Sequence, residues 1–389
     1  MTKTLALLLD AYRELNAKRM FWIVLVISAV VVGVFGIIGI RNDAVTVCNW
    51  ESPLRFVYLS LISPATFYKL LFVSLGIKFW LSSLATILAL ISTAGMFPNF
   101  LAGGSIDLYL SKPISRLRLF ATKFSGGLLF VTLQVVIFCG ASFLVLGIRG
   151  GTWEPSLFLG VPLVVLMFSY LFSMCVLLGV LTRSTIAALL LTLLFWCALW
   201  AVHSTEVLLL RAELFDQRRA IRLDKQIAQA ESVLHSPSEA PTTASTAPNL
   251  SWWDRWLASA PRQTPAQAQS QLDDLREQRA AITDRFGPSH RVVLAIATPL
   301  PKTTETINVL ERELIARADL PQSSDEEDST DETEPRSGFR GRGREDRIVA
   351  GQLDQALRRR SVPWILGTSC AFEAVIITIA AWVFCRRDY

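Results

Sequence analysis

The stretch Leu157–Leu181, LFLGVPLVVLMFSYLFSMCVLLGVL, decides the fold class of this chain. It contains no Asp, Glu, Lys or Arg, and a helix of this length is long enough to cross the hydrocarbon layer of a bilayer. A chain segment inside lipid must satisfy its own backbone hydrogen bonds, and an α-helix does so. The stretch therefore predicts a membrane-spanning α-helix.

Apolar runs of similar length recur along the chain, at residues 20–40, 79–97, 124–147, 186–207 and 363–385. Hydrophobic residues make up 52% of the 389, and they are concentrated in these blocks. We therefore predict an all-α integral membrane protein with six transmembrane helices. Residues 56–77 are also apolar but contain Pro64 and Lys69. An interfacial or partly inserted segment is favoured there over an extra span.

The distribution of Lys and Arg over the short loops predicts the orientation. If the N-terminus lies inside, the cytoplasmic pieces carry eleven basic residues: Lys3, Arg13, Lys18, Arg19, Lys112, Arg116, Arg118, Lys123, Arg183, Arg386 and Arg387. The short outer loops then carry four: Arg41, Arg55, Lys69 and Arg149. Six spans return the C-terminus to the cytoplasm. The net charge of +5 reflects this asymmetry and does not indicate nucleic-acid binding.

Three regions follow from this topology. Residues 1–207 hold an amphipathic N-terminal interfacial helix and spans one to five, residues 208–362 form an extracytoplasmic insertion, and residues 363–389 form the sixth span with a cytoplasmic tail. We predict helices in the insertion up to about residue 234 and at 265–286, 303–318 and 345–360. The stretches Ser236–Pro248, Ser323–Glu334 and Gly338–Arg344 have linker or disordered compositions. Trp252, Trp253 and Trp256 suit either a helix resting on the membrane surface or a cap on a small helical core.

The chemistry that enzymes need is missing from the sequence. No G-x-x-x-x-G-K-[ST] phosphate loop, G-x-S-x-G elbow or H-E-x-x-H zinc motif occurs. The three histidines are scattered without ligand spacing, so we predict no metal site. The acidic residues of the insertion lie in a stretch predicted to be disordered. We therefore expect a membrane protein that is not an enzyme.

The loop between the second and third spans, residues 98–123, is the most informative polar segment. It contains GGSIDLYLSKPISR at residues 103–116. Pro113 disfavours helix at Lys112, so a short helix before it stops there. Ser115 is a good N-cap for the helix that continues into the third span. The pattern predicts helix, turn and helix on the cytoplasmic face, although an ordinary basic loop would have the same charge.

This segment resembles the loop between spans two and three of type-2 ATP-binding-cassette permeases, and the six-span subfamily involved in export and copper-enzyme maturation in particular. In that family the loop is a coupling helix that docks into a groove on a separate ATPase subunit. Upstream, Asn99 and Leu101 depart from the acidic and Arg residues that family members often have there. The motif positions are Gly104, Ser105, Asp107, Leu110, Ser111, Lys112, Pro113 and Arg116. Asp107 and Arg116 are the expected polar contacts.

Polar residues inside the apolar runs are further candidates. Glu373 lies near the middle of the last span, where a charge is costly and usually faces a cavity or a partner. Lys78 is the proposed opposite charge, in a structural ion pair or in a role in cargo passage or proton-sensitive gating. Gln134 favours an interhelical hydrogen bond over a cargo contact. Gly33, Gly36 and Gly39 favour packing within the chain over a homodimer seam.

The resemblance implies the permease subunit of an ABC transporter that couples ATP hydrolysis to export of an unknown substrate. It implies a cytoplasmic ABC ATPase that binds ATP and Mg, a second permease copy or paralogue, surrounding membrane lipid and a bacterial inner-membrane location. This chain itself would hold no cofactor. The long insertion motivates an alternative, in which ATP hydrolysis moves the insertion to regulate an extracytoplasmic protein without carrying cargo. A membrane scaffold without an ATPase is a third interpretation.

Overall fold

The computed structural model describes residues 19–41, 44–47, 50–51, 68, 71–102, 115–151, 153–235, 265–282, 286–316 and 338–386. These residues are helical except for a small sheet and short connections. The predictions for residues 2–18, Ser236–Pro248, Trp252–Trp256 and Ser323–Glu334 lie outside this set.

The elements are, in chain order, α1 Arg19–Ile37, β1 Ile38–Arg41, β2 Ala44–Val47, β3 Trp50–Glu51, a π-helical segment Phe72–Ala85, α2 Thr86–Ala94, α3 Met96–Ala102, α4 Arg116–Gly150, a 3₁₀ turn Pro155–Leu159, α5 Gly160–Thr182, α6 Thr185–His235, α7 Pro265–Ala281, α8 Phe286–Ala297, α9 Thr303–Ala316, α10 Gly338–Arg358 and α11 Val362–Arg386.

Five helical stretches of the described residues are long and apolar enough to cross a membrane: Phe72–Leu101, Arg116–Arg149, Pro155–Thr182, Thr185–Ser232 and Val362–Arg386. Each contains one of the predicted spans. The apolar part of α1, Phe21–Val34, is shorter. The structure thus supports a multi-pass helical membrane protein.

A three-stranded antiparallel sheet follows α1, with order β1-β2-β3. Ile38 pairs with Val47, and Thr46 pairs with Glu51. The sequence prediction continued the first helix to residue 40, because apolar length alone does not distinguish helix from strand. Ile38 and Ile40 are β-branched and Gly39 is a poor helix former, so these residues pair with the β-branched residues Val45–Val47 of β2 instead.

The second span begins earlier than predicted. Helix starts by Phe72, so residues 72–78 extend the span that was placed at 79–97. The first part of this helical stretch, Phe72–Ala85, is π-helical. Thr86 Oγ1 donates a hydrogen bond of 2.8 Å to the carbonyl oxygen of Leu81, five residues earlier. Lys78 consequently lies inside the helix. Residues 52–67 and 69–70 are not described, so the alternative between an interfacial segment and an extra span stays open.

Helix α5 lies at the centre of the membrane part. In the most apolar stretch of Pro155–Thr182, which contains α5, 72% of the residues are buried. The corresponding share is 17% in Thr185–Ser232 and in Val362–Arg386. It packs along α11 and α4 and also contacts α2, α3 and α9. Gly127 of α4 allows a close approach, because a Cβ there would lie 2.6 Å from Cζ of Phe172. The least polar stretch of the sequence therefore supplies the core.

The glycines of α1 do not serve packing within the described chain. A Cβ added at Gly33 or Gly36 would meet no described atom within 4 Å. No described residue therefore packs closely on these two glycines, and the choice between internal packing and a homodimer seam stays open. Helix α1 instead approaches α4 and the π-helical segment, where Trp80 Nε1 donates to Ser28 Oγ at 3.1 Å.

The chain divides into two compact units. Residues 208–362, predicted from the sequence to be one region, are shared between them. The first unit contains residues 1–203, 296–334 and 358–389, and the second contains residues 204–295 and 335–357. Helix α9 of the insertion thus belongs to the same unit as the spans. Its bounds, Thr303–Ala316, match the predicted 303–318 closely.

Ion pairs connect the helices of the second unit. Asp224 of α6 pairs with Arg279 of α7, and Glu231 pairs with Arg276, both at 2.7 Å. Glu213 lies 3.1 Å from Nδ1 of His290 on α8. Leu223 of α6, Leu272 of α7 and Val349 of α10 are buried in the same unit.

Two boundaries in this unit were predicted wrongly. The helix expected to reach residue 286 ends at Ala281, and α8 starts at Phe286. Pro288 has no N–H to donate to the carbonyl of residue 284, so a helix cannot run through unbroken. Helix α10 begins at Gly338, within the Gly338–Arg344 stretch that was expected to be irregular.

Candidate functional site

The helix ends that flank the 98–123 element meet in a cluster of phenylalanines. We call this the aromatic cluster: Phe97 and Phe100 of α3, Phe120 and Phe124 of α4, and Phe384 of α11. The Phe384 ring centroid lies 5.7 Å from that of Phe120, 6.4 Å from that of Phe97 and 6.5 Å from that of Phe100. All five side chains are buried, Phe384 at 1% exposure. The cluster therefore packs both flanks of the element against the end of the last span.

Helix α4 starts as the sequence predicted. Ser115 is its N-cap, with an extended backbone, and its hydroxyl accepts from the backbone N–H of Arg118 at 3.4 Å. Arg116 then donates from Nη1 to the carbonyl oxygen of Cys385 at 3.2 Å. That carbonyl belongs to the last turn of α11, where helix carbonyls lack intrahelical partners and the helix dipole is negative. Arg116 thus ties α4 to α11 inside the chain.

Basic side chains gather at this end of the membrane part. Arg116 and Arg118 lie in the first turn of α4, Lys123 lies about two turns further along it, Arg183 follows the end of α5, and Arg386 ends α11. Lys123 Nζ lies 5.6 Å from the ring of Phe100, and the Arg386 guanidinium lies 5.0 Å from the ring of Trp382. The charge that set the predicted orientation is therefore concentrated beside the 98–123 element.

Most of the predicted coupling motif lies outside the described residues. These positions are Gly104, Ser105, Asp107, Leu110, Ser111, Lys112 and Pro113. Arg116 is the one motif residue that the described part of the chain includes. Its bond to Cys385 gives it a role within the chain in addition to the predicted contact with an ATPase.

Replacing Arg116 by Glu should destabilise the protein as well as alter its charge. The variant removes a hydrogen bond and places a negative charge at the negative end of α11, a dipole effect of about 0.3–1 kcal/mol. We expect a lower unfolding midpoint in detergent, measured by intrinsic fluorescence on heating. Arg116→Lys, which keeps the charge, should lose less. Equal midpoints for wild type and Arg116→Glu would contradict the capping role.

Lys78 does not pair with Glu373. Its Nζ lies 2.5 Å from Oε2 of Glu311 on α9, and the two side chains are 40% and 27% exposed. The sequence analysis chose Glu373 because both residues lie in spans. The structure selects Glu311 because α9 packs on the π-helical segment that carries Lys78. Glu311 is a functional candidate that the sequence analysis missed.

Helix α9 is docked closely on the membrane part. Its Leu310 is fully buried, and a Cβ added at Gly160, the first residue of α5, would lie 3.4 Å from Leu310 Cδ2. Glu305 forms an ion pair with Arg360, just before α11. The apolar spacing Ile307, Leu310 and Leu314 signalled a buried face but did not show what covers it. Its described partners are the N-terminal parts of helices that could span a membrane, namely the π-helical segment, α5 and α11.

The residues just before α9 bind the last span. The backbone N–H of Lys302 donates to Ser369 Oγ at 3.0 Å, and its Nζ donates to Thr368 Oγ1 at 2.9 Å. The same ammonium lies 4.3 Å from the ring centroid of Trp364. A lysine held by two hydroxyl contacts and an aromatic face is fixed in position. Helix α9 is therefore attached to the second span at Lys78 and to α11 through Lys302.

Glu373 of α11 is half-buried and lies beside α5. Its carboxyl hydrogen-bonds with Ser169, which is 4% exposed. The hydroxyl of Tyr170, the next residue, interacts with Thr306 of α9 and with Cys370 of α11. Tyr170 is fully buried, and its hydroxyl has no partner at good hydrogen-bond geometry among the described residues. Three helices thus place polar groups at one point of the membrane part.

Gln134 of α4 is 8% exposed and lines a small cavity with Val24, Ser28, Thr86 and Val164. The sequence analysis favoured an interhelical hydrogen bond for this residue. Its Nε2 finds no acceptor among the described residues. The buried amide is therefore unsatisfied on its donor side, and a water bound in the cavity would satisfy it.

One protein-family model matches part of this chain. A family model described as "Protein of unknown function (DUF2705)" matches residues 25–203, less than half of the chain. The match runs from α1 to the early part of α6, and it includes the 98–123 element. No curated protein and no solved structure matches the chain. The family description assigns no activity, so a functional proposal depends on the residues themselves.

Proposed function

We propose that this chain is the permease subunit of an ABC transporter that exports a substrate using ATP hydrolysed by a separate ATPase. It would have six spans, with α1 as the first, and both termini in the cytoplasm of a bacterial inner membrane. The sequence resemblance of residues 103–116 to a coupling helix motivates the proposal. ATP and Mg would be bound by the ATPase, and a second permease copy or paralogue would complete the transporter.

The observation that carries the proposal is the anchoring of both flanks of the 98–123 element to the last span. The aromatic cluster joins α3, α4 and α11, and Arg116 adds a hydrogen bond between α4 and α11. Packed aromatic side chains have little room for independent movement. A push on the element by an ATPase would therefore move three membrane helices together, as coupling requires.

Co-purification tests this proposal. The full chain is solubilised from its native membrane in a mild detergent, captured through a C-terminal tag and analysed by mass spectrometry. We expect a stoichiometric P-loop ATPase with the wild-type chain. The absence of any ATPase under conditions that preserve the folded chain would refute the proposal and favour a membrane scaffold.

A second candidate function is mechanical transmission to an extracytoplasmic protein. The observation that favours it is the attachment of α9 to the second span through Lys78–Glu311 and to α11 through Lys302. Because α9 belongs to the insertion by sequence, movement of these spans would move an insertion segment directly. The same ATPase would supply the energy, and no cargo would be carried.

A charge exchange at Lys78 and Glu311 tests this attachment. Lys78→Glu and Glu311→Lys should each lower the unfolding midpoint, because like charges then face each other, while the double variant should recover. Partly exposed ion pairs contribute about 0.2–1 kcal/mol. The expected midpoint loss is therefore small, about 2–4 °C per kcal/mol for domains of this size.

The functional measurement is the ATPase stimulation of the reconstituted complex. If transmission uses this contact, each single variant should lower the response of the extracytoplasmic partner protein more than it lowers ATP turnover. If all three variants have the unfolding midpoint and the partner response of wild type, the Lys78–Glu311 ion pair neither stabilises the protein nor transmits the movement. The exposed pair Asp224–Arg279, exchanged in the same way, is the matched control.

A further inference from the structure

Glu373 has no cation partner among the described residues. No Lys or Arg nitrogen of the described chain lies within ion-pair distance of its carboxylate. Lys78 binds Glu311, and Lys302 binds Thr298 and Thr368. A charged carboxylate within a span is costly unless a positive group neutralises it. The described residues do not supply that group, so a ligand can.

The neighbouring groups suit hydrogen bonding more than ion pairing. Ser169 Oγ lies 2.7 Å from the carbonyl oxygen of Leu166 and also hydrogen-bonds with the carboxyl of Glu373, so its one hydroxyl proton serves two acceptors. The buried hydroxyl of Tyr170 lacks a well-placed partner and lies next to Cys370 and Thr306. The site therefore combines one carboxyl with neutral oxygen and sulfur groups.

Two residues close to Glu373 on α11 are exposed. Cys370 is a free, exposed thiol, and Val375 on the other side of Glu373 is 57% exposed. Phe372 stacks on Phe195 of α6 with ring centroids 6.0 Å apart. A ligand reaching Glu373 from this side meets apolar and aromatic surface around a single carboxyl. Tyr170 forms the buried floor.

We propose that Glu373, Ser169 and Tyr170 form a binding site for a monovalent organic cation with an apolar body. The carboxylate would neutralise the cation, and the surrounding aromatic and aliphatic side chains would cover its body. A divalent metal ion is a poor fit, because Ca²⁺ and Mg²⁺ require about six oxygen ligands and this site offers one carboxylate. The proposal does not depend on an ATPase, since every residue it uses lies in α5, α6, α9 or α11 of this chain.

Cys370 provides a reporter that needs no transport assay. The purified wild-type chain in dodecylmaltoside, which has no charged headgroup, is treated with N-ethylmaleimide in the presence of tetraphenylphosphonium. Peptide mass spectrometry follows each cysteine separately. At a probe concentration about ten times its Kd, alkylation of Cys370 should slow about tenfold, because only unoccupied protein reacts. Cys197, an exposed thiol on α6, is the internal control and should react at an unchanged rate.

Two further arms make the experiment decisive. Glu373→Gln should abolish the protection of Cys370 while leaving the elution profile and the Cys197 rate unchanged, and Glu373→Asp should retain part of it. Tetraphenylborate, the anion of the same shape, should not protect. Equal protection by the anion, protection that survives in Glu373→Gln, or no protection by the cation would each overturn the proposal. A failure to recover an ATPase with the chain would leave these results unaffected.

Discussion

Replacing Asp107 by Arg is expected to abolish the stimulation of the partner ATPase while leaving the fold of the membrane part intact. In the proposed coupling motif Asp107 is the acidic contact, and reversing its charge turns an attraction across the interface into a repulsion. Truncating or reversing one partner of a desolvated charge pair typically costs about 2–5 kcal/mol of binding. An effect of that size would remove most of the complex at ordinary concentrations.

The measurement is ATP turnover of the co-purified ATPase with and without the permease in lipid vesicles, together with the recovery of the complex. Asp274→Arg makes the same charge change at an exposed position of α7, so it should leave turnover unchanged. The unfolding midpoint of Asp107→Arg should equal that of wild type, unlike that of Arg116→Glu, because Arg116 also binds Cys385 within the chain. Full stimulation by Asp107→Arg would remove the coupling assignment.

Replacing Phe384 by Ala is expected to have the largest effect on stability. Its ring is 1% exposed and contacts three other rings, which come from α3 and α4. Removing a buried aromatic side chain typically costs about 3–5 kcal/mol, because the lost contacts add to the cavity that remains. The variant should also uncouple the ATPase, since the same ring joins the flanks of the 98–123 element to the last span.

Thermal unfolding in detergent measures the first effect, and ATPase stimulation below the unfolding midpoint measures the second. Phe79→Ala is the matched control, because Phe79 is 57% exposed and its loss leaves no internal cavity. Surface substitutions of that kind usually change stability by about 0.5 kcal/mol or less. If Phe384→Ala and Phe79→Ala unfold together, the aromatic cluster does not join these helices.

The local features of the chain were predictable because they depend on neighbours in sequence. Apolar length placed the helices that contain the spans, and the Ser115 cap and the bounds of α9 followed from side-chain chemistry within a few residues. The wrong helix boundaries occurred where local residue preferences opposed the helix that apolar length predicted. Ile38, Gly39 and Ile40 form a strand instead of continuing the first helix, and Pro288 separated α7 from α8.

The candidate site was predictable only in part. The sequence marked Lys78, Gln134, Glu373 and Arg116 as unusual, because a polar group in an apolar run or at a helix start is visible in one dimension. It did not give their partners. Lys78 and Glu311 are separated by more than two hundred residues, and nothing in the spacing of either segment encodes their contact. Tyr170 looked like an ordinary core residue until its hydroxyl was placed beside Cys370 and Thr306.

The sequence by itself determined that this is a helical membrane protein, because the cost of an exposed backbone in lipid leaves an apolar chain few other choices. It also determined where positive charge gathers and which segment resembles a coupling helix. Only the tertiary structure decided that α9 joins the membrane part, that Phe384 packs on both flanks of the 98–123 element, and that no Lys or Arg of the described residues pairs with Glu373. These outcomes depend on which helices lie side by side, and long-range packing among many similar apolar faces decides that.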